Sequence, residues 1–122
     1  GEKVRDENFE EFLKEQIEKT FAGLSRDELG KCMIAYEPVW AISSNLGARP
    51  DIPEESIKAI KIIRETISKL DGEEIGMPIL YGGSVTSKNV AEFVGQKEID
   101  GVLIGGASVN KEEFVKILSL MK

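Results

Sequence analysis

Short apolar runs alternating with helix-length amphipathic stretches constrain this chain more than any other feature. Three such runs stand out: Cys32-Met33-Ile34-Ala35-Tyr36, Met77-Pro78-Ile79-Leu80-Tyr81 and Gly101-Val102-Leu103-Ile104. Each is continuously apolar, the pattern of a strand covered on both faces. Helices between such strands require parallel pairing with right-handed crossovers. The order helix, strand, helix, strand, helix, strand, helix predicts an α/β fold. It also brings the C-terminal ends of all three strands to one edge, where open parallel sheets and closed α/β barrels both hold ligands.

The helical stretches are marked by their stripes and caps. Asp6 or Asn8 can cap the first, whose apolar residues Phe9, Phe12, Leu13, Ile17, Phe21 and Leu24 form a stripe facing one way. Glu10–Lys14 and Glu15–Lys19 stand in the favourable i,i+4 order on its other face, and Gly23 and Ser25 end it. A turn, Arg26 to Gly30, leads into the strand at Cys32. The second helix opens at Pro53, with Glu54 and Glu55 at the positive end of its dipole. Its stripe is Ile57, Ile60, Ile63, Ile67 and Leu70, and Asp71-Gly72 closes it. Ser87 caps a third helix through about Val94, with Val90, Phe93 and Val94 inward. The last runs from Lys111 to Met121 and is expected to bury Phe114, Val115, Leu118 and Met121.

Composition removes several classes of function. The 122 residues fit one domain, with 41% hydrophobic and 31% charged residues and a formal net charge of −6. That charge argues against non-specific binding to nucleic acid or to an anionic membrane. No apolar run approaches the roughly 20 residues of a membrane span. The opening residues Gly1 to Glu7 are polar and mixed in charge, unlike a signal peptide. Cys32 is the single cysteine, so no internal disulfide is available, and a reducing cytoplasm is the expected location. With no histidine, the chain offers neither imidazole acid–base chemistry nor a His-containing metal site.

What chemistry there is sits at the strand ends. Pro38 cannot donate to a ladder, so the first strand stops with Glu37 at its C-terminal end. Trp40 and Ile42 follow on a long loop, roughly 39 to 52, as if covering something. Two readings of Glu37 and Trp40 stand on these residues alone: a positioned acid under a cover, or a solvated carboxylate and a core filler. Gly82-Gly83-Ser84 and Gly105-Gly106 end the other two strands. Glycines there either turn the chain or, through positive φ and converging N–H groups, cradle an anion, helped by the N-terminus of a following helix. Two pairs on consecutive strands favour one phosphate. A carboxylate beside a small phosphorylated substrate can abstract a proton, a step that also needs an electrophile, and this chain places no His or Lys at a strand end. Three parallel strands leave two open edges, so residues 1–122 read as part of a larger sheet.

Ala35-Tyr36-Glu37-Pro38-Val39-Trp40-Ala41-Ile42, Leu80-Tyr81-Gly82-Gly83-Ser84-Val85 and Asp100-Gly101-Val102-Leu103-Ile104-Gly105-Gly106-Ala107-Ser108 closely resemble the signature segments of the triosephosphate isomerase family, in family order. Glu113-Phe114-Val115 resembles its last helix. The resemblance implies the C-terminal half of a (β/α)8 barrel, the last three parallel strands with four helices, completed by another chain or segment. It implies reversible isomerisation of dihydroxyacetone phosphate and glyceraldehyde 3-phosphate, without a cofactor or metal. A glutamate base, a neutral histidine electrophile and a closing loop are established features of that enzyme class, not readings of this chain. By motif, Glu37 matches the base; Ser43, Ser84, Gly105 and Gly106 match the phosphate ligands, largely through backbone N–H groups. Glu2 matches a second active-site carboxylate. Ser43-Ser44-Asn45-Leu46-Gly47 replaces the usual Gly-Thr-Gly-Lys of the lid, and the family's Asn, Lys and His belong to the N-terminal half. The implied partners are a triose phosphate, that N-terminal half and, once complete, a second copy in a homodimer. The other reading is an inactive half-barrel that self-associates through its strand edges.

Overall fold

The computed structural model describes residues 2–38, 53–71 and 76–121. The order of elements is α1 (Glu2–Phe21), α2 (Arg26–Leu29), β1 (Ile34–Tyr36), α3 (Pro53–Asp71), β2 (Ile79–Gly83), α4 (Val90–Val94), β3 (Gly101–Ile104), a 3-10 turn (Gly106–Val109) and α5 (Lys111–Leu120). The strands form one parallel sheet in the order β1-β2-β3. The chain is α/β with alternating elements, as the apolar runs require. The expected loop over 39–52, with Trp40, Ile42 and Ser43, and the helix stop at Gly72 lie outside the described residues.

The chain divides into two compact units, with α3 shared between them after Ile57. One contains residues 1–32 and 58–77. Here α1 starts at Glu2, well before the expected caps at Asp6 and Asn8. Lys, Val and Arg carry no signal that stops a helix, so the backbone stays helical through them. Leu13, Ile17 and Phe21 make the buried stripe, whereas Phe12 is 62% exposed. Gly23, with φ of 81°, ends the helix in the left-handed region that glycine occupies at no steric cost. The pairs Glu10–Lys14 and Glu15–Lys19 form at 3.1 and 2.6 Å.

The expected turn at Arg26 to Gly30 is instead the one-turn helix α2, so the described residues hold five α-helices where four are expected. Ser25 accepts from the Glu28 N–H at 3.2 Å while the Glu28 carboxylate accepts from the Ser25 N–H at 2.8 Å, a reciprocal cap. Cys32 belongs to the end of this turn rather than to β1: its N–H donates to the Leu29 carbonyl at 3.1 Å and its thiol to Glu28 at 3.4 Å. On α3, Ile60, Ile63 and Ile67 are buried as expected, joined by Ala59, Ile62 and Thr66; Leu70 is exposed. Lys58, Lys61, Glu65 and Lys69 fill its exposed side, and no described helix is long and apolar enough to cross a membrane.

The other unit holds the sheet. Residues paired in a parallel sheet share a face, so the register Ile34↔Ile79, Tyr36↔Tyr81 and Tyr81↔Val102 sorts the side chains. Ile79, Tyr81 and Tyr36 lie on a covered face, where the Tyr81 ring stacks on Phe93 of α4 at 3.9 Å and 9°. Ala35, Leu80 and Leu103 share the other face and are exposed or half-buried. Asp100 fixes the register from outside: its carboxylate accepts from the Ile79 N–H at 2.8 Å, and its own N–H donates to the Ile79 carbonyl at 3.0 Å.

The last two helices depart from expectation. Ser87 does not cap α4; residues 87–89 are turns and the helix starts at Val90 after Asn89. Val90 and Phe93 are buried as expected. On α5 the fully buried residue is Ile117, while Val115, Leu118 and Met121 face solvent. The sequence carries two overlapping apolar stripes there, and packing against the 3-10 turn and α4 selects the one through Ile117.

Because Phe93 is almost fully buried and stacked on Tyr81, Phe93→Ala should cost about 3–5 kcal/mol. Urea unfolding followed by circular dichroism measures it; a loss below about 1 kcal/mol would show that the stack does not hold the sheet.

Candidate functional site

One step beyond the last paired residues, the three strands present Glu37, Ser84 and Gly105. Tyr36 pairs with Tyr81, so Glu37 follows beside Gly82. Gly83 pairs with Ile104, so Ser84 and Gly105 follow side by side. Glu37 is exposed, Pro38 behind it is buried, and Ser84 is half-buried. The Glu37 side chain lies across the backbone of Gly82: a β-carbon added there would stand 2.7 Å from Glu37 Cγ, 3.1 Å from Oε1 and 3.3 Å from Cδ. The carboxylate is thus directed over the edge that carries the glycines, on the open face of the sheet.

The two glycines of this pair serve opposite faces. Alternation along β2 puts the missing side chain of Gly83 on the covered face, in the space of the Tyr81 hydroxyl, 2.8 Å from its Cζ. Neither glycine supplies a turn. Gly82 and Gly83 lie within β2, and among the described residues only Gly23 is a glycine with positive φ. The expected left-handed cradle is therefore absent from this pair. What they contribute is room, for the acid on one side and for a tyrosine on the other.

Gly105 has φ of −87° and ψ of −110°, and its carbonyl accepts from the Ser108 N–H at 2.9 Å and hydroxyl at 2.6 Å. Gly106 opens the 3-10 turn that these bonds close. A helix N-terminus immediately behind Ser84 is also not found. The chain bends at Ser84, and residues 87–89 form a turn before α4 begins, with Asn89 bonding back to Ser84 and Thr86. Ser43 lies outside the described residues, and Glu2 is described as the first residue of α1. The sequence therefore brings Glu37, Ser84, Gly105 and Gly106 to one edge, while Ser43 and Glu2 stay expectations. Among the described residues, no three Cys, Asp or Glu side chains are gathered so as to hold a metal ion.

Two polar residues at this edge escaped the sequence reading: Asn89 and Glu113. The carboxylate of Glu113, on the first turn of α5, accepts from the Ser87 N–H at 2.6 Å. Hydrogen bonds from the Ser87 N–H and then its hydroxyl hold the Glu113 carboxyl below its ordinary value of 4.5. The available signal was Asn110-x-x-Glu113, a cap followed by an acid. Asn110 caps its own helix by accepting from the Glu113 N–H, but the Glu113 carboxylate reaches a neighbouring segment instead of turning back on the cap.

Gly82→Ala should leave folding stability within about 1 kcal/mol, since the exposed Glu37 can swing aside, yet abolish the nuclear Overhauser contact between Glu37 Hγ and Gly82 Hα. Gly83→Ala meets a buried ring that cannot yield and should cost about 1–3 kcal/mol. Equal costs in urea unfolding would refute this division. Because its folded value is lowered, Glu113 should contribute stability that is complete above 4.5 and lost as pH falls through that lowered value. An acid titration of unfolding should show that component vanish in Glu113→Gln.

The family described as triosephosphate isomerase matches residues 1–121. Triosephosphate isomerase of Corynebacterium efficiens is 47% identical over 109 residues, 88% of this chain and 40% of its own length. That of Mycobacterium sp. (strain JLS) is 41% identical over 121 residues, 97% of this chain and 45% of its own. That of Dictyoglomus turgidum is 42% identical over 111 residues, 89% of this chain and 43% of its own. The chain thus spans less than half the length of these relatives. Its alternating α/β order, its parallel sheet and a match along nearly every residue place it in the triosephosphate isomerase family.

Proposed function

We propose that this chain carries the base and the phosphate-binding edge of a triosephosphate isomerase, interconverting dihydroxyacetone phosphate and glyceraldehyde 3-phosphate without a cofactor. Glu37 is the base. It takes a proton from the hydroxyl-bearing carbon beside the substrate carbonyl and returns one to the former carbonyl carbon. A second proton passes from the substrate hydroxyl to the former carbonyl oxygen, and together these steps turn ketose into aldose. Backbone N–H groups of Ser43, Ser84, Gly105 and Gly106 hold the phosphate, and Glu2 is the second carboxylate. The enediolate formed between the two transfers needs an electrophile. With no histidine in this chain, that group comes from an N-terminal portion, which also closes the sheet into a barrel. The completed molecule pairs as a homodimer in the cytoplasm.

The observation that carries this reading is the Glu37 side chain lying across Gly82, beside the strand ends of Ser84 and Gly105. The uneven faces of the sheet support completion by further strands. Parallel sheets are ordinarily covered on both faces, but here Leu103 is 45% exposed on the face shared with Ala35 and Leu80. Barrels of the class named for this enzyme fill that inner face with side chains from the other strands and place their chemistry at the C-terminal strand ends.

Co-expression with the N-terminal portion of the Corynebacterium efficiens relative should yield isomerase activity that neither piece has alone. In that complex Glu37→Gln should lower kcat by about 10²–10⁴. An active complex indifferent to Glu37→Gln would remove Glu37 as the base. An inactive complex that is folded and associated would overturn the proposed function.

A further inference from the structure

The segment after β2 is held in shape by side chains that lie beyond it. Asn89 Nδ2 donates to the Ser84 carbonyl at 2.6 Å, and Asn89 Oδ1 accepts from the Thr86 N–H at 2.8 Å. A carbonyl can only accept and an N–H can only donate, so the two bonds together define which way the amide points. Glu113, from α5, accepts the Ser87 N–H at 2.6 Å. The other N–H groups are engaged locally: Val85 with the Gly83 carbonyl at 2.9 Å, Lys88 with Thr86 Oγ1 at 3.2 Å, and Asn89 and Val90 with the Thr86 carbonyl at 3.2 and 2.9 Å. Every backbone donor from Val85 through Val90 therefore has a partner within the protein. A segment so fully bonded has one backbone path, and the tie between Ser84 and Asn89 sets where that path leaves the strand.

We infer that Asn89 is a positioning residue for anion binding: its amide orients Ser84 at the strand end, and Glu113 braces the same segment from Ser87. This rests on the phosphate-binding reading given above. The role suits asparagine because one planar group must donate to a carbonyl and accept from an N–H at once. Aspartate offers only acceptors, and would set a carboxylate oxygen against the Ser84 carbonyl. Glu113, by contrast, is needed only as an acceptor, so glutamine can replace it.

The test uses the isotopically labelled chain titrated with inorganic phosphate, following the amide resonances of Ser84, Gly105 and Gly106. Asn89→Ala should shift the Ser84 resonance in the free chain and weaken phosphate binding about tenfold, the scale of one well-made hydrogen bond. Glu113→Gln should stay within about threefold of the parent. Resonance shifts report the folded population, so a residue that merely stabilises the fold would lower signal intensity without changing the apparent Kd. If Asn89→Ala does not fold, Asn89→Asp keeps the acceptor for Thr86, loses the donor to Ser84, and should weaken binding at least as much. Equal Kd values for the parent and either Asn89 variant would overturn the positioning role and leave the phosphate reading intact. No response to phosphate in the parent would overturn both.

Discussion

Everything at the strand ends depends on the register of β2, the strand with a neighbour on each side. Glycine stands beside Glu37 only because Tyr36 is paired with Tyr81, and Ser84 reaches Gly105 only because Gly83 is paired with Ile104. A slip of one residue would turn Tyr81 to the open face and place its ring where the carboxylate now lies. Two features oppose such a slip. Asp100 grips both polar groups of Ile79, and the Tyr81 ring is buried against Phe93. The chemistry of the edge is thus set by a carboxylate and an aromatic stack at other points of the same sheet.

The sheet separates cohesion from chemistry by face. Ile79, Tyr81 and Tyr36 supply apolar burial on one side, and the stack of Tyr81 on Phe93 leaves little room for change there. The opposite side carries Glu37 and the small or half-covered residues Ala35, Leu80 and Gly82. A strand in which alternate residues answer to different demands explains why two adjacent glycines have unrelated reasons for being glycine. One leaves space for an acid that must be free to move; the other leaves space for a ring that must not.

Much of this was legible in the sequence, and the failures have physical causes. The strand order and the convergence of Glu37, Ser84 and Gly105 follow from apolar runs and the handedness of crossovers, which depend on few residues. Gly82 and Gly83 do not take the positive φ expected of them, because composition cannot tell a residue chosen for its backbone angles from one chosen for its lack of bulk. Cys32 and Met33 look like strand by hydrophobicity, yet the reciprocal cap between Ser25 and Glu28 winds the chain into α2 and draws Cys32 into its last turn. On α5 the spacing allowed two stripes, and only contact with the preceding turn chose Ile117. Glu113 reads from the sequence only as part of the last helix, because its partner Ser87 is set by tertiary approach 26 positions away. Asn89 reads as an ordinary helix residue, because its bonds to Ser84 and Thr86 require a local turn that the apolar pattern does not specify.

Helix α5 is secured unequally. At its start, the Asn110 side chain holds the Glu113 N–H, and the Glu113 carboxylate in turn holds Ser87. At its finish, Leu118 and Leu120 are exposed, and the Met121 N–H donates to the Leu118 carbonyl. The opening turn is thus tied to a segment outside its own helix. Amide hydrogens near Phe114 should therefore exchange more slowly than those near Leu120, and the grip on the segment that carries Ser84 should outlast the last turn.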